Sequence, residues 1–267
     1  MMKKLFIAFV PSLLLVSVAM AGAKTDRECA GLIGPVRAVS SVTTLPTRTG
    51  ERVVSVYDPN GNELETALYH GPASSSSLAE KSIHTYDAEG NRTATATYNG
   101  DGFLLKKTTY AYNTRDNLTE MVSSDDAGLI EKTTYTYDEK GQPTKEVVYY
   151  THGPVTRRSV YSYDPKGNRI QGLSYARDDS VTKTVYTYDT KGNVTTRVTY
   201  AADDSPIDKL TYTYEFDTTG NWIKQTESIC DPTVQSDKSA CAQSAVISRT
   251  ITYDSPVHTD RQTKRAR

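Results

Sequence analysis

The chain has 267 residues, of which 37% are hydrophobic, and its 31 basic residues nearly balance its 32 acidic residues. This low apolar content cannot fill a thick core between two stacked layers, and it favours a broad sheet with partly buried faces. Nucleic-acid binding requires a concentrated basic face. The one dense basic stretch is the tail Arg261–Arg267, whose simplest interpretation is a solvated end, so no nucleic-acid partner is expected.

The first 23 residues have the pattern of a secretory signal peptide. Lys3 and Lys4 form a charged start, Leu5–Val18 is apolar, and the small residues near Ala21–Ala23 offer a cleavage site. The apolar run is too short for a comfortable membrane span, so we expect no membrane span after cleavage. The sequence therefore predicts a periplasmic or secreted protein in which residues 24–267 form one domain.

A tandem repeat of 25–26 residues organises the rest of the chain, and its clearest copy is TVYTYDTKGNVTTRVTY from Thr184 to Tyr200. Val185–Tyr188 is β-branched or aromatic, which suits a strand. Asp189–Gly192 suits a tight turn, because Asp accepts hydrogen bonds from nearby main-chain N–H groups and Gly tolerates a positive φ. Val194–Tyr200 alternates with a period of two, as a returning strand does. The structural turn residues are Asp58, Gly61, Asp87, Gly90, Asp138, Gly141, Asp164, Gly167, Asp189 and Gly192.

These repeats predict an all-β fold: an antiparallel meander of about fifteen strands of roughly 6–10 residues, in a curved or twisted open sheet. An opening hairpin between Leu32 and Val56 would lie at the edge of this sheet. The last repeat is the least regular, because Phe216 replaces the tyrosine that precedes the turn and an insertion follows. We expect this last segment to cover or close an edge, since open strand edges invite association.

The segments YSYDPKGNR at 161–169, YTYDTKGNV at 186–194 and YTYDEKGQ at 135–142 resemble the YD repeats of Rhs-type bacterial proteins and of teneurin-like shells. The resemblance covers Arg52 to Asp254. In the large members of this family, such repeats form a β-sheet that spirals into a hollow shell. This chain is far shorter and lacks the DPxGL boundary of toxin-carrying members, so the resemblance does not imply an encapsulated toxin.

Three cysteines occur in a chain that is expected to enter an oxidising compartment. Cys230 and Cys241 flank the insertion in the last repeat, and a disulfide between them would tie the two ends of that loop. The alternative pairing, Cys29 with Cys230, would pin the opening strand to the closing one. No His lies at metal-ligand or catalytic spacing to any Cys, so the cysteines are interpreted as structural.

The sequence contains no pattern that predicts catalysis. Its four histidines are scattered, and it lacks a G-x-S-x-G elbow, an H-E-x-x-H motif and a phosphate-binding glycine loop. Acidic pairs recur in the second turns of several repeats, as at Asp125–Asp126 and Asp203–Asp204. They invite a Ca²⁺ interpretation, but turn chemistry explains them as well and is preferred. We expect no enzymatic activity, no cofactor and no metal site.

Tyrosines spaced two residues apart point to one face of the predicted sheet, and neighbouring strands would assemble them into a field. Such a face could stack sugar rings or hold a protein partner, although the same rings could simply pack the sheet together. The candidate binding residues are Tyr110, Tyr112, Tyr135, Tyr137, Tyr161, Tyr163, Tyr186 and Tyr188.

The function that the sequence favours is an exported, non-enzymatic structural or binding module of the cell envelope, whose partner is a glycan or a protein. One alternative is an outer-membrane β-barrel. Charged residues occur on both faces of the predicted strands, which argues against this alternative, because a lipid-facing wall requires an apolar outward band. A small exported enzyme, such as a glycan hydrolase, is the other alternative.

Overall fold

The structure is a computed structural model that describes residues 25–46, 50–71, 76–150, 155–233 and 241–254. The predicted signal peptide and the basic tail lie outside the described residues. Among the described residues, no helix is long and apolar enough to cross a membrane. The elements are α1 (Asp26–Cys29), β1 (Val36–Thr44), β2 (Arg52–Tyr57), β3 (Glu63–His70), β4 (Ser77–Tyr86), β5 (Arg92–Asn99), β6 (Leu104–Tyr112), β7 (Leu118–Asp125), β8 (Gly128–Tyr137), β9 (Pro143–Tyr150), β10 (Val155–Tyr163), β11 (Arg169–Ala176), β12 (Val181–Tyr188), β13 (Val194–Tyr200), β14 (Pro206–Phe216), β15 (Trp222–Cys230) and β16 (Cys241–Tyr253).

The sixteen strands form one antiparallel sheet that closes into a barrel. Each strand pairs with its neighbours in sequence, and β1 pairs with β16. The extensive contacts among described strands are all between such ladder neighbours, as in the wall of a barrel rather than in two stacked sheets. With strands about 4.8 Å apart and tilted by about 40°, sixteen strands give a backbone diameter of roughly 32 Å.

The turn after each repeat tyrosine has one geometry. In the β12–β13 hairpin, the Asp189 N–H donates to the Asn193 carbonyl at 2.9 Å, and the Gly192 N–H donates to the Asp189 carbonyl at 3.2 Å. The Asp189 carboxylate accepts the main-chain N–H groups of Lys191 and Asn193. The φ of Gly192 is +87°, in the left-handed region that favours glycine. The same main-chain bonds are made at Asp58, Asp87, Asp138 and Asp164, with positive φ at Gly61, Gly90, Gly141 and Gly167.

A β-bulge accompanies each of these turns. In the β12–β13 pair the register shifts between Thr187 and Tyr188, directly before the turn. Equivalent shifts occur in the pairs β2–β3, β4–β5, β6–β7, β8–β9, β10–β11 and β14–β15. A bulge bends its strand and increases the local twist. The ladders between successive hairpins also shift register, at their opposite ends, as between Leu68 and Tyr69, so the strands bend at both ends of the wall.

The prediction of an open sheet with about fifteen strands is wrong. The sheet has sixteen strands, and β1, which was expected to form an edge, pairs with β16 from Val36↔Tyr253 to Thr44↔Val246. With 13 residues, β16 is long enough to pair with both β15 and β1. A closed barrel has no free edge. The segment after Phe216 therefore closes the sheet, because its strand β16 pairs with β1, and it does not cover an edge.

The seam between β16 and β1 is a repeat hairpin whose two strands come from opposite ends of the sequence. Tyr253 and Asp254 begin this repeat, and the Asp254 N–H donates to the Pro35 carbonyl at 2.9 Å. In a complete repeat, the N–H of the turn Asp donates in the same way to the carbonyl of the residue before the returning strand, as Asp189 does to Asn193. The register of β1 and β16 also shifts next to Val36, as at the other bulges. Strand β1 thus acts as the returning strand of the last repeat.

The loop-tying disulfide is confirmed. Cys230 ends β15 and Cys241 begins β16; their sulfur atoms are bonded and their Cα atoms lie 4.0 Å apart. The alternative pairing with Cys29, which ends α1, is therefore wrong. The bond closes a loop with a sequence separation of 11 residues. Constraining a loop of this length in the unfolded chain contributes about 2–3 kcal/mol.

Candidate functional site

One face of the strands lines the inside of the barrel. Side chains converge on the concave side of a curved sheet, so small groups are covered there more often than on the convex side. The face that carries the tyrosine pairs also carries small or polar side chains that are only 4–8% exposed. They are Thr97 and Val148 at 4%, Thr108 and Thr133 at 5%, Thr95 at 6%, Ser159 at 7% and His84 at 8%. We call this face the inner wall and the opposite face the outer wall.

The second tyrosine of each pair bonds to the neighbouring hairpin. The Tyr188 hydroxyl donates to the Arg169 carbonyl at 2.6 Å. The β11–β12 ladder begins at Gln171↔Val185, so Arg169 lies beyond its end and the hydroxyl takes the place of a strand N–H. Burial raises the pKa of Tyr188 to about 12, which keeps the hydroxyl protonated and able to donate. The same bond joins Tyr86 to Glu63, Tyr112 to Arg92, Tyr137 to Leu118 and Tyr163 to Pro143.

The last complete repeat keeps this bond although its residue before the turn is Phe216. Here Tyr214, two residues earlier, donates its hydroxyl to the Val194 carbonyl at 2.9 Å. Its ring packs edge-on against Trp222, with ring centroids 6.1 Å apart. The irregular repeat therefore conserves the bond between hairpins by shifting it to a different tyrosine. We call the six hydroxyl–carbonyl bonds the tyrosine ladder.

The first tyrosine of each pair contacts side chains of the inner wall instead. The Tyr161 hydroxyl donates to Glu146 Oε2 at 3.1 Å, and the Tyr135 hydroxyl lies 3.4 Å from the sulfur of Met121. The eight candidate residues thus fall into two groups. Tyr112, Tyr137, Tyr163 and Tyr188 belong to the tyrosine ladder, whereas Tyr110, Tyr135, Tyr161 and Tyr186 share the inner wall with its polar side chains.

A row of hydrogen bonds crosses four strands of the inner wall. Thr66 Oγ1 lies 3.4 Å from His84 Nε2, and His84 Nδ1 lies 2.8 Å from Thr95 Oγ1. Thr95 in turn lies 3.0 Å from the Tyr110 hydroxyl. Hydroxyl groups can both donate and accept, so such a row satisfies buried polar groups around the circumference. The inner wall is consequently polar from β3 to β6.

Residues 25–35 form a strap across the turn end of the barrel. On one side the Arg27 N–H donates to the Gly61 carbonyl at 3.0 Å, and Asp26 pairs with Arg92 at 3.1 Å. On the other side Asn221, only 1% exposed, donates to the Ile33 carbonyl and accepts the Ile33 N–H at 2.9 and 2.7 Å. The strap therefore links the first repeats to the last complete repeat across the β1–β16 seam.

His84 lies beside the ionic cluster that anchors this strap. Its Nε2 atom is 3.7 Å from Glu63, and Glu63 also pairs with Arg92 at 3.1 Å. Burial, together with the charge of Arg92, lowers the pKa of His84 to about 4, although Asp26 acts in the opposite direction. Burial acts to lower the pKa of the Arg92 guanidinium. The nearby groups Asp26, Tyr86 and Glu63 have a larger, opposite effect, so the pKa is raised. Arg92 is therefore charged and His84 neutral at pH 7.

The outer wall carries charges at mid-height. Lys81 pairs with Glu65 at 2.6 Å and Lys132 pairs with Glu120 at 2.5 Å, and each of these side chains is 35–40% exposed. A row of tyrosines lies opposite basic residues on this wall, and their register pairs are Arg52↔Tyr69, Lys81↔Tyr98, Lys132↔Tyr149, Arg158↔Tyr175 and Lys183↔Tyr200. Two residues further along the strands, the same wall carries a row of small aliphatic residues, as at Val185↔Val198. The apolar band of the outer wall is therefore narrow.

The acidic residues of the second turns close those turns. Asp125 Oδ1 accepts the Ala127 N–H at 2.8 Å, and Asp203 Oδ1 accepts both the N–H and the hydroxyl of Ser205. Asp178 makes the same two bonds with Ser180. In the part of the chain that the structure describes, no group of three or more His, Cys, Asp or Glu residues is placed to hold a metal ion.

Comparison with known proteins concerns the fold alone. No protein-family model matches the chain, and no curated protein matches it in sequence. Among solved structures, a porin-like protein from Bacteroides uniformis is similar, with a TM-score of 0.59 and 11% identity, over 82% of this chain and 99% of that one. A porin-like protein from Bacteroides vulgatus has a TM-score of 0.42 and 10% identity over the same shares. The complex TcdB2-TccC3-Cdc42 has a TM-score of 0.35 and 16% identity, over 73% of this chain and 12% of that one.

Sequence reasoning missed the strap and its anchors. Asp26 and Ile33 precede the first repeat, where no periodic pattern marks their partners. Asn221 occupies the Asn position common to most repeats, so its bonds to Ile33 distinguish it and its place in the repeat does not. One signal was available: His84 stands where other repeats have the first tyrosine, and this departure coincides with the ionic cluster.

We predict that Tyr137→Phe lowers the free energy of unfolding by about 1–2 kcal/mol, because the Leu118 carbonyl loses its hydroxyl donor. Tyr135→Phe is the matched control, since its hydroxyl donates to a weak acceptor, the thioether sulfur of Met121, and it should cost less than about 0.5 kcal/mol. Urea unfolding of the three proteins measures both changes. Equal losses in the two variants would show that the tyrosine ladder has no special role.

We predict that part of the acid sensitivity of the fold comes from His84. Its pKa is about 4 in the folded chain and about 6.5 when unfolded, so the unfolded state binds the proton first as pH falls. The free energy of unfolding should therefore drop between pH 6.5 and pH 4, by about 3 kcal/mol at most from this group. His84→Tyr, which restores the residue type of other repeats, should remove this part of the slope.

The control for this experiment is His70→Gln at an exposed histidine of the same strand pair, whose side chain is 56% exposed. It should leave the pH dependence of urea unfolding as in the original protein. A His84→Tyr variant with an unchanged slope between pH 6.5 and pH 4 would exclude His84 as the source.

Proposed function

We propose that this chain is an exported, non-enzymatic β-barrel of the cell envelope that stands in water on both walls and binds a polar ligand inside. The observation that carries the proposal is the chemistry of the two walls at mid-height. The inner wall presents hydroxyls, tyrosine rings and charged groups, and the outer wall presents lysine–glutamate pairs. Both are surfaces that water solvates well.

The inner wall supports the binding part of the proposal. A barrel of sixteen strands is wide enough to leave an interior that its own side chains do not fill. Binding sites combine aromatic or apolar surface with a few polar groups that fix orientation. The first tyrosines of the pairs supply such surface, while the tyrosine ladder serves the wall itself. The interior is thus suited to a small polar guest.

The outer wall supports the water-exposed part. A lipid-facing barrel needs an apolar band about 25 Å tall, and a charge at the bilayer midplane costs about 2–4 kcal/mol for Lys or Arg. Here Glu65–Lys81 and Glu120–Lys132 lie beside the short aliphatic row. Exposed ion pairs of this kind are ordinary in water.

An outer-membrane pore is the second candidate function. The closed barrel of sixteen strands and the fold likeness to the porin-like protein of Bacteroides uniformis favour it. So does the row of outer tyrosines, because aromatic girdles mark the membrane interfaces of such barrels. The two candidates make opposite predictions about detergent and lipid.

We predict that the protein purifies as a monomer without detergent and stays in the supernatant when lipid vesicles are sedimented. The designed control changes both outer ion pairs to leucine, as Glu65→Leu, Lys81→Leu, Glu120→Leu and Lys132→Leu. Its outer wall becomes apolar at mid-height, so it should aggregate or bind vesicles. If the unmodified protein itself requires detergent or sediments with vesicles, the pore is favoured over the water-exposed barrel.

A further inference from the structure

The inner wall has a recess between β9 and β12. Its cavity has a volume of about 240 Å³, enough for about eight waters at the density of the liquid. Side chains from four consecutive strands line it, together with the turn between β11 and β12. The lining residues are Val148, Tyr150, Thr156, Arg157, Ser174, Ala176, Ser180 and Thr182.

The recess exists because the inward residues of β11 are small. They are Gly172, Ser174 and Ala176, which pair with Tyr161, Ser159 and Arg157 of β10. A Cβ atom at Gly172 would lie 3.5 Å from the Tyr161 ring, so this ring packs on the glycine. The equivalent inward positions of β9 hold Glu146, Val148 and Tyr150. The wall is therefore thinnest along β11.

The polar groups of the recess are fixed in position but still accessible. Glu146 accepts Arg157 Nη2 on one carboxylate oxygen at 2.9 Å and the Tyr161 hydroxyl on the other at 3.1 Å. The Glu146 side chain is 15% exposed, whereas that of Arg157, which lines the recess, is 56% exposed. Ser174 and Thr182 add hydroxyl groups on the facing strands.

The charges indicate which ligand fits. Arg157 is already neutralised by Glu146, and a second carboxylate, Glu131, lies beside the Tyr150 hydroxyl at the rim. An anionic ligand would meet more negative than positive charge there. A neutral ring with many hydroxyls, in contrast, accepts from the guanidinium, donates to carboxylates and hydroxyls, and packs its C–H face on an aromatic ring.

We propose that the recess between β9 and β12 is a saccharide subsite that holds one neutral sugar ring of a glycan inside the barrel. Arg157, Ser174 and Thr182 bind sugar hydroxyls, Tyr150 provides aromatic surface, and the small residues of β11 provide the room. This proposal rests on the proposed ligand-binding function of the inner wall and gives it a location and a ligand class.

Titration of the full-length protein with cellobiose and chitobiose, followed by ligand-observed NMR, tests the subsite, and glucuronic acid serves as the anionic probe. Ser174→Leu fills the recess and should weaken binding of the neutral disaccharides by about tenfold or more. Arg157→Gln keeps the size of the site but loses a charged donor, and about a tenfold loss is expected. Gln171→Leu, on the outer wall of the same strand, should stay within about twofold of the original protein.

Three results would overturn the subsite: neither disaccharide binds the original protein, glucuronic acid binds more tightly than both, or Ser174→Leu binds as well as the original. The outcomes for the wider proposal are separate, because it is decided by behaviour towards detergent and vesicles. If the protein is a monomer in water and Ser174→Leu does not change its affinity for sugars, the proposed subsite is contradicted. The proposal of a water-exposed barrel is unaffected by that result.

Discussion

The bond between a tyrosine hydroxyl and a strand carbonyl is the interaction on which this barrel depends. In each bulged hairpin, the first residue of the returning strand lies outside the ladder that joins this strand to the next hairpin. Its carbonyl therefore receives no N–H from that ladder, as at Leu118 and Arg169. A buried carbonyl without a donor costs about 1–3 kcal/mol. The next hairpin places a tyrosine at that point, which fills the gap with its ring and satisfies the carbonyl with its hydroxyl. The sheet can therefore bend at every repeat and remain bonded.

The chain closes the sheet by dividing one repeat between its two ends. Strand β1 acts as the returning strand of the hairpin that Tyr253 begins, so the seam has the turn bond and the bulge of a complete repeat. Its tyrosine differs, because the Tyr253 hydroxyl donates to the Asp217 carboxylate and not to a strand carbonyl. The strap reinforces the seam from outside the repeat pattern, through Asp26 on one side and Asn221 on the other. The disulfide acts elsewhere, between β15 and β16. A closed wall also creates an inside, and the residues that hold the wall together leave the first tyrosines and the β11 recess facing it.

Much of the local structure can be predicted from the sequence. The turn residues, the strand alternation and the Cys230–Cys241 pairing follow from local chemistry, which near neighbours in sequence determine. Closure does not, because it depends on whether Val36–Thr44 meets a strand more than 200 residues later, and both an open and a closed sheet satisfy the same hairpin pattern. The recess was missed for a related reason. Gly172 and Ser174 look like weak strand residues in isolation, and their small size matters only once the flanking strands are in place.

The distance between the two terminal strands tests the central claim, that a divided repeat closes the sheet, most directly. Spin labels at Ser40 and Thr250, which are paired across the seam on the outer wall, report this distance by pulsed electron paramagnetic resonance in a Cys29→Ser background. In a closed barrel the labels should give one narrow distance below about 20 Å. In an open sheet of sixteen strands spaced about 4.8 Å apart, they would lie up to about 70 Å apart. A broad distribution centred beyond about 40 Å would contradict closure by the divided repeat.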